Sequence, residues 1–262
     1  MKFIIISDIH GNATALKECI KEIEQMKIDG IIWCGDYITD FPESHEVIQI
    51  VKEYSKKIKS YIISGNREQY VIDFDKDKKC NIMQKGNLEY TYKSLDENDI
   101  EWIKSLPDSV KIELDNGEII YVSHKCTYEK IENCKYKIFG HSHRQCNFIR
   151  DGVKYINPGA VGIPIDGNVG AEFAILEITE NYEKLEEYIV KYNTEELIEF
   201  LKNTTIYNDE VKWGQLLEKE LKTGRDCFFE CIEEYNRIRE EHKILEENLG
   251  VWNLAVKNVL SE

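Results

Sequence analysis

The sequence predicts an α/β protein with two packed mixed sheets and helices outside them, followed by a helical C-terminal region. Three observations carry that expectation. From Lys2 to about Ile63, apolar strand-like runs alternate with stretches of helical spacing. From about Val110, strand-like runs follow one another through turns, and after about Tyr182 apolar residues recur three and four apart.

The elements can be taken in order. "KFIIIS" is a solid apolar run suited to a strand covered on both faces, and "ATALKECIKEIEQM" sets Leu16, Ile20 and Ile23 on one helical face. "GIIWC" reads as a second strand, "SHEVIQIVKEY" as a second helix and "SYIIS" as a third strand, a parallel β-α-β-α-β unit with right-handed crossovers. Residues 67–105 look helical or irregular, with Ser94 and Glu97 spaced as a capping box ahead of "DENDIEWIKSL". "VKIELDNGEIIYVSH" is a hairpin about Asn116-Gly117, and "YKIFG", "CNFIRDGVKYINPG" and "EFAILEI" supply further strands, so the second sheet reads as the more antiparallel. "TEELIEFLKN", "NDEVKWGQLLEKELKTG", "RDCFFECIEEYNRIREEHKIL" and "LGVWNLAVKNVL" are helical, with Gly224 placed to end one of them. The expected division is a main domain over 1–182 and a helical extension over 183–262, with no internal repeat or long flexible linker.

Composition limits what such a chain does. With 262 residues and a formal net charge of −15, spread rather than confined to a tail, a long-range field repels phosphate backbones; a long nucleic-acid track is disfavoured. No apolar run approaches the roughly 18 residues of a membrane span, and the run Phe3 to Ser7 is too short for a signal-peptide core. Eight cysteines with no C-x-x-C pair read as reduced, mostly buried thiols, which points to the cytoplasm.

Polar clusters fall just after the expected strands. Asp8 and His10 follow the first in "SDIHGN", Asp36 the second in "CGDY", and Asn66 the third in "GNRE". His124 ends "YVSH", and His141 and His143 follow "KIF" in "FGHSH". Loops at strand C-termini are where open α/β sheets place their sites. Three oxygen donors and four imidazoles suit Zn, Fe or Mn better than Mg or Ca, and seven ligands fit two ions sharing a carboxylate, about 3.5–4 Å apart. On its own "GNRE" is a turn, because glycine tolerates positive φ.

Taken together, "DIHGN", "GDY", "GNRE", "SH" and "GHSH", followed by "NPGAVG", resemble the calcineurin-like metallophosphoesterases, particularly their compact bacterial phosphodiesterase and phosphatase branch. The resemblance covers roughly residues 1 to 180. It implies a four-layer α-β-β-α sandwich carrying a dinuclear metal centre. It assigns Asp8, His10 and His143 to one metal, Asn66, His124 and His141 to the other, and Asp36 to both as a bridge; Asn157 and Gly159 match a supporting turn. The implied activity is hydrolysis of a small phosphoester, a nucleotide being one candidate, by a hydroxide bridging the two ions. Asp36, Arg67 and His124 are the expected catalytic residues.

One position departs from the family pattern. Many members have His after "GN", where it protonates the leaving oxygen or holds phosphate, and this chain has Arg67. Arginine cannot give up its proton but can clamp phosphate, so a preference for good leaving groups, or a proton from the substrate or another residue, is expected. Arg67, Asn66 and Asn12 are the expected phosphate contacts, with Asn12 alternatively only starting the following helix and Arg67 alternatively in a surface ion pair with Glu68 or a neighbour. His45 is close enough in sequence to Asp36 to reach the substrate but reads better as a solvated helix start; Cys34 and Cys126 read as packing. A competing reading is a metal-binding scaffold or regulatory protein whose C-terminal helices dock a partner, with Phe228 and Phe229 as core, lid or interface.

Overall fold

In a computed structural model, residues 1–77 and 84–261 are described. The first sheet begins as expected, with β1 (Lys2–Ile6), α1 (Ala13–Ile23), β2 (Gly30–Trp33), α2 (Ser44–Lys57) and β3 (Ser60–Ile62) making a parallel three-stranded unit. On the other side of β1 the chain adds two antiparallel strands, β9 (Ala171–Ile178) and β10 (Glu183–Val190), giving the order β10-β9-β1-β2-β3. Residues 183–190 therefore correct the expectation that helix resumes after Tyr182. Glu183, Lys184, Glu186 and Glu187 mask the strand in the sequence, because β10 lies at the sheet edge, where charged side chains reach water.

The second sheet has the order β4-β5-β6-β8-β7, from β4 (Ser109–Glu113), β5 (Ile119–Ser123), β6 (Cys134–Ile138), β7 (Gln145–Arg150) and β8 (Val153–Pro158). It is as mixed as the first: β4–β5 and β7–β8 are antiparallel hairpins, whereas β5–β6 and β6–β8 pair in parallel. The segment between β5 and β6 returns the chain to run in the same direction, which the sequence did not disclose.

Alternation along β1 explains the sandwich. Ile4 and Ile6 face the α1 and α2 side with Ile31, Trp33, Phe173 and Ile175, while Phe3 and Ile5 meet Ile120, Val122, Ile138 and Ile156 of the second sheet. Both faces are buried, which is why Phe3 to Ile6 are all apolar. On the outward face of the second sheet the 124–133 segment takes the place the expected sandwich gives to a helix layer: Tyr128 packs on Tyr155, and Lys137 Nζ donates to the carbonyls of Thr127 and Glu129.

The helices α3 (Asn66–Asp77), α4 (Lys85–Ser94) and α5 (Glu97–Ser105) follow β3. The capping box before α5 is Asp96 with Asp99, not Ser94 with Glu97; Ser94 instead donates to Thr91 O. The C-terminal helices α6 (Thr194–Lys202), α7 (Trp213–Thr223), α8 (Cys227–His242) and α9 (Leu249–Ser261) share a core of their own, which also takes in Phe41 and Ile163 from the loops above the first sheet. Gly224 ends α7 in the left-handed region, φ +66°, as expected. Among the described residues no helix is long and apolar enough to cross a membrane. The seven described cysteines are free thiols, and Cys80 lies outside the described residues.

Candidate metal centre

The strand-end clusters meet at one end of the sandwich. Asp8, His10 and His143 have ligand atoms within 4.8 Å of one another, and so do Asp36, His124 and His141. Asp36 stands between the groups, its Oδ2 3.7 Å from His10 Nε2 and 3.2 Å from His124 Nε2. Asn66 joins the second group, its Oδ1 3.0 Å from His124 Nε2. All seven residues picked out by the sequence are thus brought together.

The outer nitrogens show what the inner ones are for. His10 Nδ1 donates to Asp40 Oδ2 (2.6 Å), His124 Nδ1 to the Cys34 carbonyl (2.8 Å) and His143 Nδ1 to the Ile163 carbonyl (2.9 Å). Each ring therefore turns Nε2 inward as the electron-pair donor. His10 Nε2 then faces His143 Nε2 at 3.0 Å, and His124 Nε2 faces the Asn66 oxygen at the same distance. Each contact needs a proton or a cation between its two atoms, and in the metal-free protein His10 and His124, whose pKa values are raised, supply the proton. The donor set fits a pair of metal ions because two groups of imidazole and oxygen donors lie side by side with Asp36 between them.

The charges agree. Burial opposes ionisation of Asp8 and Asp36, yet neighbouring imidazoles, led by His143 for Asp8 and His124 for Asp36, hold both carboxyls below their usual range. Burial likewise opposes charge on His10 and His124, but Asp40 and Asp8 carry His10 up to about 9 and Asp36 carries His124 up to about 10. Burial and nearby positive imidazoles push His141 and His143 down, toward the neutral ligand form. Ionised carboxylates fix this pocket as a place for positive charge.

The loops reach this arrangement at a cost in backbone strain. Asp8, His10, Asp36, His141 and His143 all have φ between +53° and +67°, a region that costs a non-glycine residue about 1 kcal/mol or more. Gly65 of "GNRE" has a different role from the one expected of it. It is absent from the positive-φ residues, but a Cβ there would lie 2.2 Å from Asp36 Oδ1, so glycine is needed for space. Gly140 is equally constrained, its Cβ position 1.9 Å from Ser7 Oγ.

Two residues of the site escaped the sequence reading. Glu68 is fully buried and accepts from the backbone N–H groups of Gly65 (2.7 Å), Asp36 (3.0 Å) and Tyr37 (2.8 Å), tying the loops after β2 and β3 together. Burial and the Asp36 charge push its pKa up to about 7 against those donors. Asp40 is the hub of a wider network: Oδ2 takes His10, Thr39 Oγ1 (3.1 Å) and Arg67 Nη2 (3.2 Å), and Oδ1 takes Asn87 Nδ2 (2.6 Å) and Trp213 Nε1 (2.8 Å). A second carboxylate four residues after Asp36 in "GDYITD" was the only hint.

Arg67 sits beside the candidate ligands, and its ion pair is with Asp40 rather than Glu68. Asn12 does not join the site: it is fully buried, caps α1 through Ala15 N (2.8 Å) and donates to Gly162 O and Tyr192 OH. His45 lies elsewhere, half-exposed and bonded to Asp99. Cys34 is buried and offers the site only its carbonyl, and Cys126 is half-buried and outside the ligand groups. Asn157 supports the site as expected, donating to Gly140 O (2.7 Å) and accepting from Gly159 N.

A cavity of about 160 Å³ opens on the ligands, with Asp40, Arg67, His141 and His143 on one side. Its other side is the C-terminal region: Trp213, Leu216, Leu217 and Glu220 of α7, then Asp226 and Phe228, with Ile163 and Ile165 between. Phe228 also packs on Trp213 and Trp252, so it is core and cavity wall at once, whereas Phe229 is exposed. A larger cavity near Lys85, Tyr90 and Asp209, about 950 Å³, touches none of the candidate ligands.

Comparison with known proteins gives the same picture. The family model for the calcineurin-like phosphoesterase superfamily domain matches residues 1–181. Among solved structures, the chain is similar to the hypothetical protein PH1004 from Pyrococcus horikoshii OT3, at 17% identity and TM-score 0.70, over 85% of this chain and 98% of that one. It is also similar to a metallophosphoesterase from Sphaerobacter thermophilus, at 22% identity and TM-score 0.65, over 86% and 99%. Both likenesses are of fold, and both extend past the 1–181 match into the C-terminal region. No curated protein matches the chain.

Proposed function

The chain belongs to the calcineurin-like phosphoesterase superfamily, and from that premise we propose that it hydrolyses a small phosphoester, as a phosphodiesterase or phosphatase, with two metal ions. The observation that carries the reading is the convergence of seven imidazole and oxygen donors in two adjacent groups with Asp36 between them. Asp8, His10 and His143 would hold one ion, Asn66, His124 and His141 the other, and Asp36 would serve both; Mn, Fe or Zn suits this mixture of imidazole and oxygen. When bound, the ions supply hydroxide near neutral pH and neutralise phosphoryl oxygens during its in-line attack.

The remaining work falls to side chains. Arg67, held by Asp40 at the cavity wall, presents a permanently charged guanidinium to phosphoryl oxygens and stays protonated throughout. Asp40 fixes the His10 ring, and Glu68 fixes the loops that carry Asp36 and Asn66. The apolar wall from α7 and α8 excludes water from the ester, and a space of about 160 Å³ favours a compact substrate over a nucleic-acid strand. A net charge of −15 points the same way, and free thiols fit a cytoplasmic setting.

A panel of phosphoesters assayed with Mn, Zn and Mg, together with metal analysis, tests the proposal. Turnover by the wild type, lost in Asp36→Asn and in His124→Ala, is expected. Full activity in either variant would overturn the ligand assignment. Bound metal without turnover would support the scaffold alternative instead.

A further inference from the structure

We infer that Glu220, on the C-terminal helix α7, is the group that protonates the departing oxygen of the ester, taking the part that Arg67 cannot. The inference rests on the phosphoesterase reading above and deepens it.

Glu220 is a carboxyl where the helix calls for an apolar residue. The buried face of α7 runs Trp213, Leu216, Leu217, Glu220 and Leu221, and Glu220 is 5% exposed. One oxygen accepts the Phe228 N–H (2.9 Å), and among the described residues no cation pairs with it. A carboxylate so placed is costly to bury, so the neutral acid is favoured. Its side chain lines the same cavity as Arg67, His141 and His143, across from the ligand cluster.

The other acids at this cavity are committed elsewhere. Although burial opposes its ionisation, Asp40 is held below the usual carboxylate range by Arg67 and His10. Asp226 caps α8 at Phe229 N (3.0 Å) and reaches Arg144 (3.4 Å). Arg67 keeps its proton because Asp40 and Asp36 outweigh the effect of burial. For Glu220, burial raises the pKa first, the Phe228 N–H pulls it back, Asp226 and Asp40 raise it again and His10 lowers it, leaving it at about 8. In the metal-free protein this carboxyl therefore keeps its proton at neutral pH.

The step balances. Water gives up a proton to solvent and attacks phosphorus as hydroxide; the bond from phosphorus to the leaving oxygen breaks, and its electron pair stays on that oxygen. The Glu220 proton moves onto it, releasing the alcohol, and the carboxylate regains a proton from solvent. A leaving group that is already a stable anion needs no such help.

The bland alternative is that Glu220 only caps α8, and Glu220→Gln separates the two. The amide keeps an oxygen for Phe228 N–H but has no acidic proton. For the metal-loaded enzyme, kcat/KM is measured across aryl and alkyl esters of rising leaving-group pKa. Alkyl esters should slow about 10²–10³-fold in the Gln variant, and p-nitrophenyl esters less than about tenfold. The alkaline limb of the wild-type rate on alkyl esters should vanish as well. Glu220→Asp, which restores an acid at shorter reach, should recover part of the alkyl rate. Equal losses on every ester, or an Asp variant no better than Gln, would overturn the inference while leaving the phosphoesterase reading intact; a wild type that turns over no ester would overturn both.

Discussion

Replacing Asp40 with Asn should cost more than its distance from any reacting atom suggests. The two carboxylate oxygens accept from five groups: His10, Thr39 and Arg67 on one side, Asn87 and Trp213 on the other. An amide has one oxygen, so whichever way it turns, its NH₂ faces at least two donors, each costing about 1–3 kcal/mol when buried and unmet. Arg67, 17% exposed in its side chain, also loses its counter-ion, a loss worth about 3–5 kcal/mol for a buried pair. These effects share partners and do not add, so the expected destabilisation is about 3–5 kcal/mol. Urea unfolding of the metal-free protein measures it. Because His10 Nδ1 loses its orienting carboxylate, metal affinity should fall about 10–100-fold in parallel. A stability loss under about 1 kcal/mol with unchanged metal affinity would refute the assignment of Asp40 as the hub.

Other expectations are more local. Glu68→Ala leaves three buried N–H groups without an acceptor and should cost about 3 kcal/mol or more in urea unfolding; a change within experimental error would show that the loops hold without it. Arg67→Lys keeps the charge but not the fork, and should raise KM for phosphoesters more than it lowers kcat in steady-state assays; an unchanged KM would remove Arg67 from substrate binding. Stability should also depend on pH through Glu220, whose pKa rises from 4.5 to about 8 on folding. The folded state then binds the extra proton, so this contribution is complete below about pH 4.5 and is lost as pH rises through about 8, a difference of a few kcal/mol. Glu220→Gln should flatten that part of the pH–stability curve, and parallel curves for the two proteins would contradict the protonated carboxyl.

The site was legible in the sequence where local order carried it. Each candidate ligand group follows a run that reads as a strand, so a list of strand ends was also a list of candidate ligands, and the structure gathers all seven. Asp40 and Glu68 were not legible because their partners are remote: Asp40 meets Trp213 across 173 positions, and Glu68 looks like any acidic residue in the first turn of a helix. Glu220 was hidden differently, as one more charge in "LLEKELKTG" until α7 is seen packed over the histidines. The edge strand β10 and the start of α5 were misread because charged edge strands resemble helices and a Ser-x-x-Glu spacing arises without capping anything. Local chemistry announced the candidate metal ligands; the groups that orient and enclose them depend on contacts that exist only in three dimensions.

The wall that α7 and α8 place across the cavity also sets an order of events during synthesis. Every residue from Asp8 to His143 leaves the ribosome before Trp213, Glu220 and Phe228, and early segments fold while later ones are still being made. Chain order thus separates the two halves of the cavity: one wall is encoded by the strand-end loops, the other by the last third of the sequence.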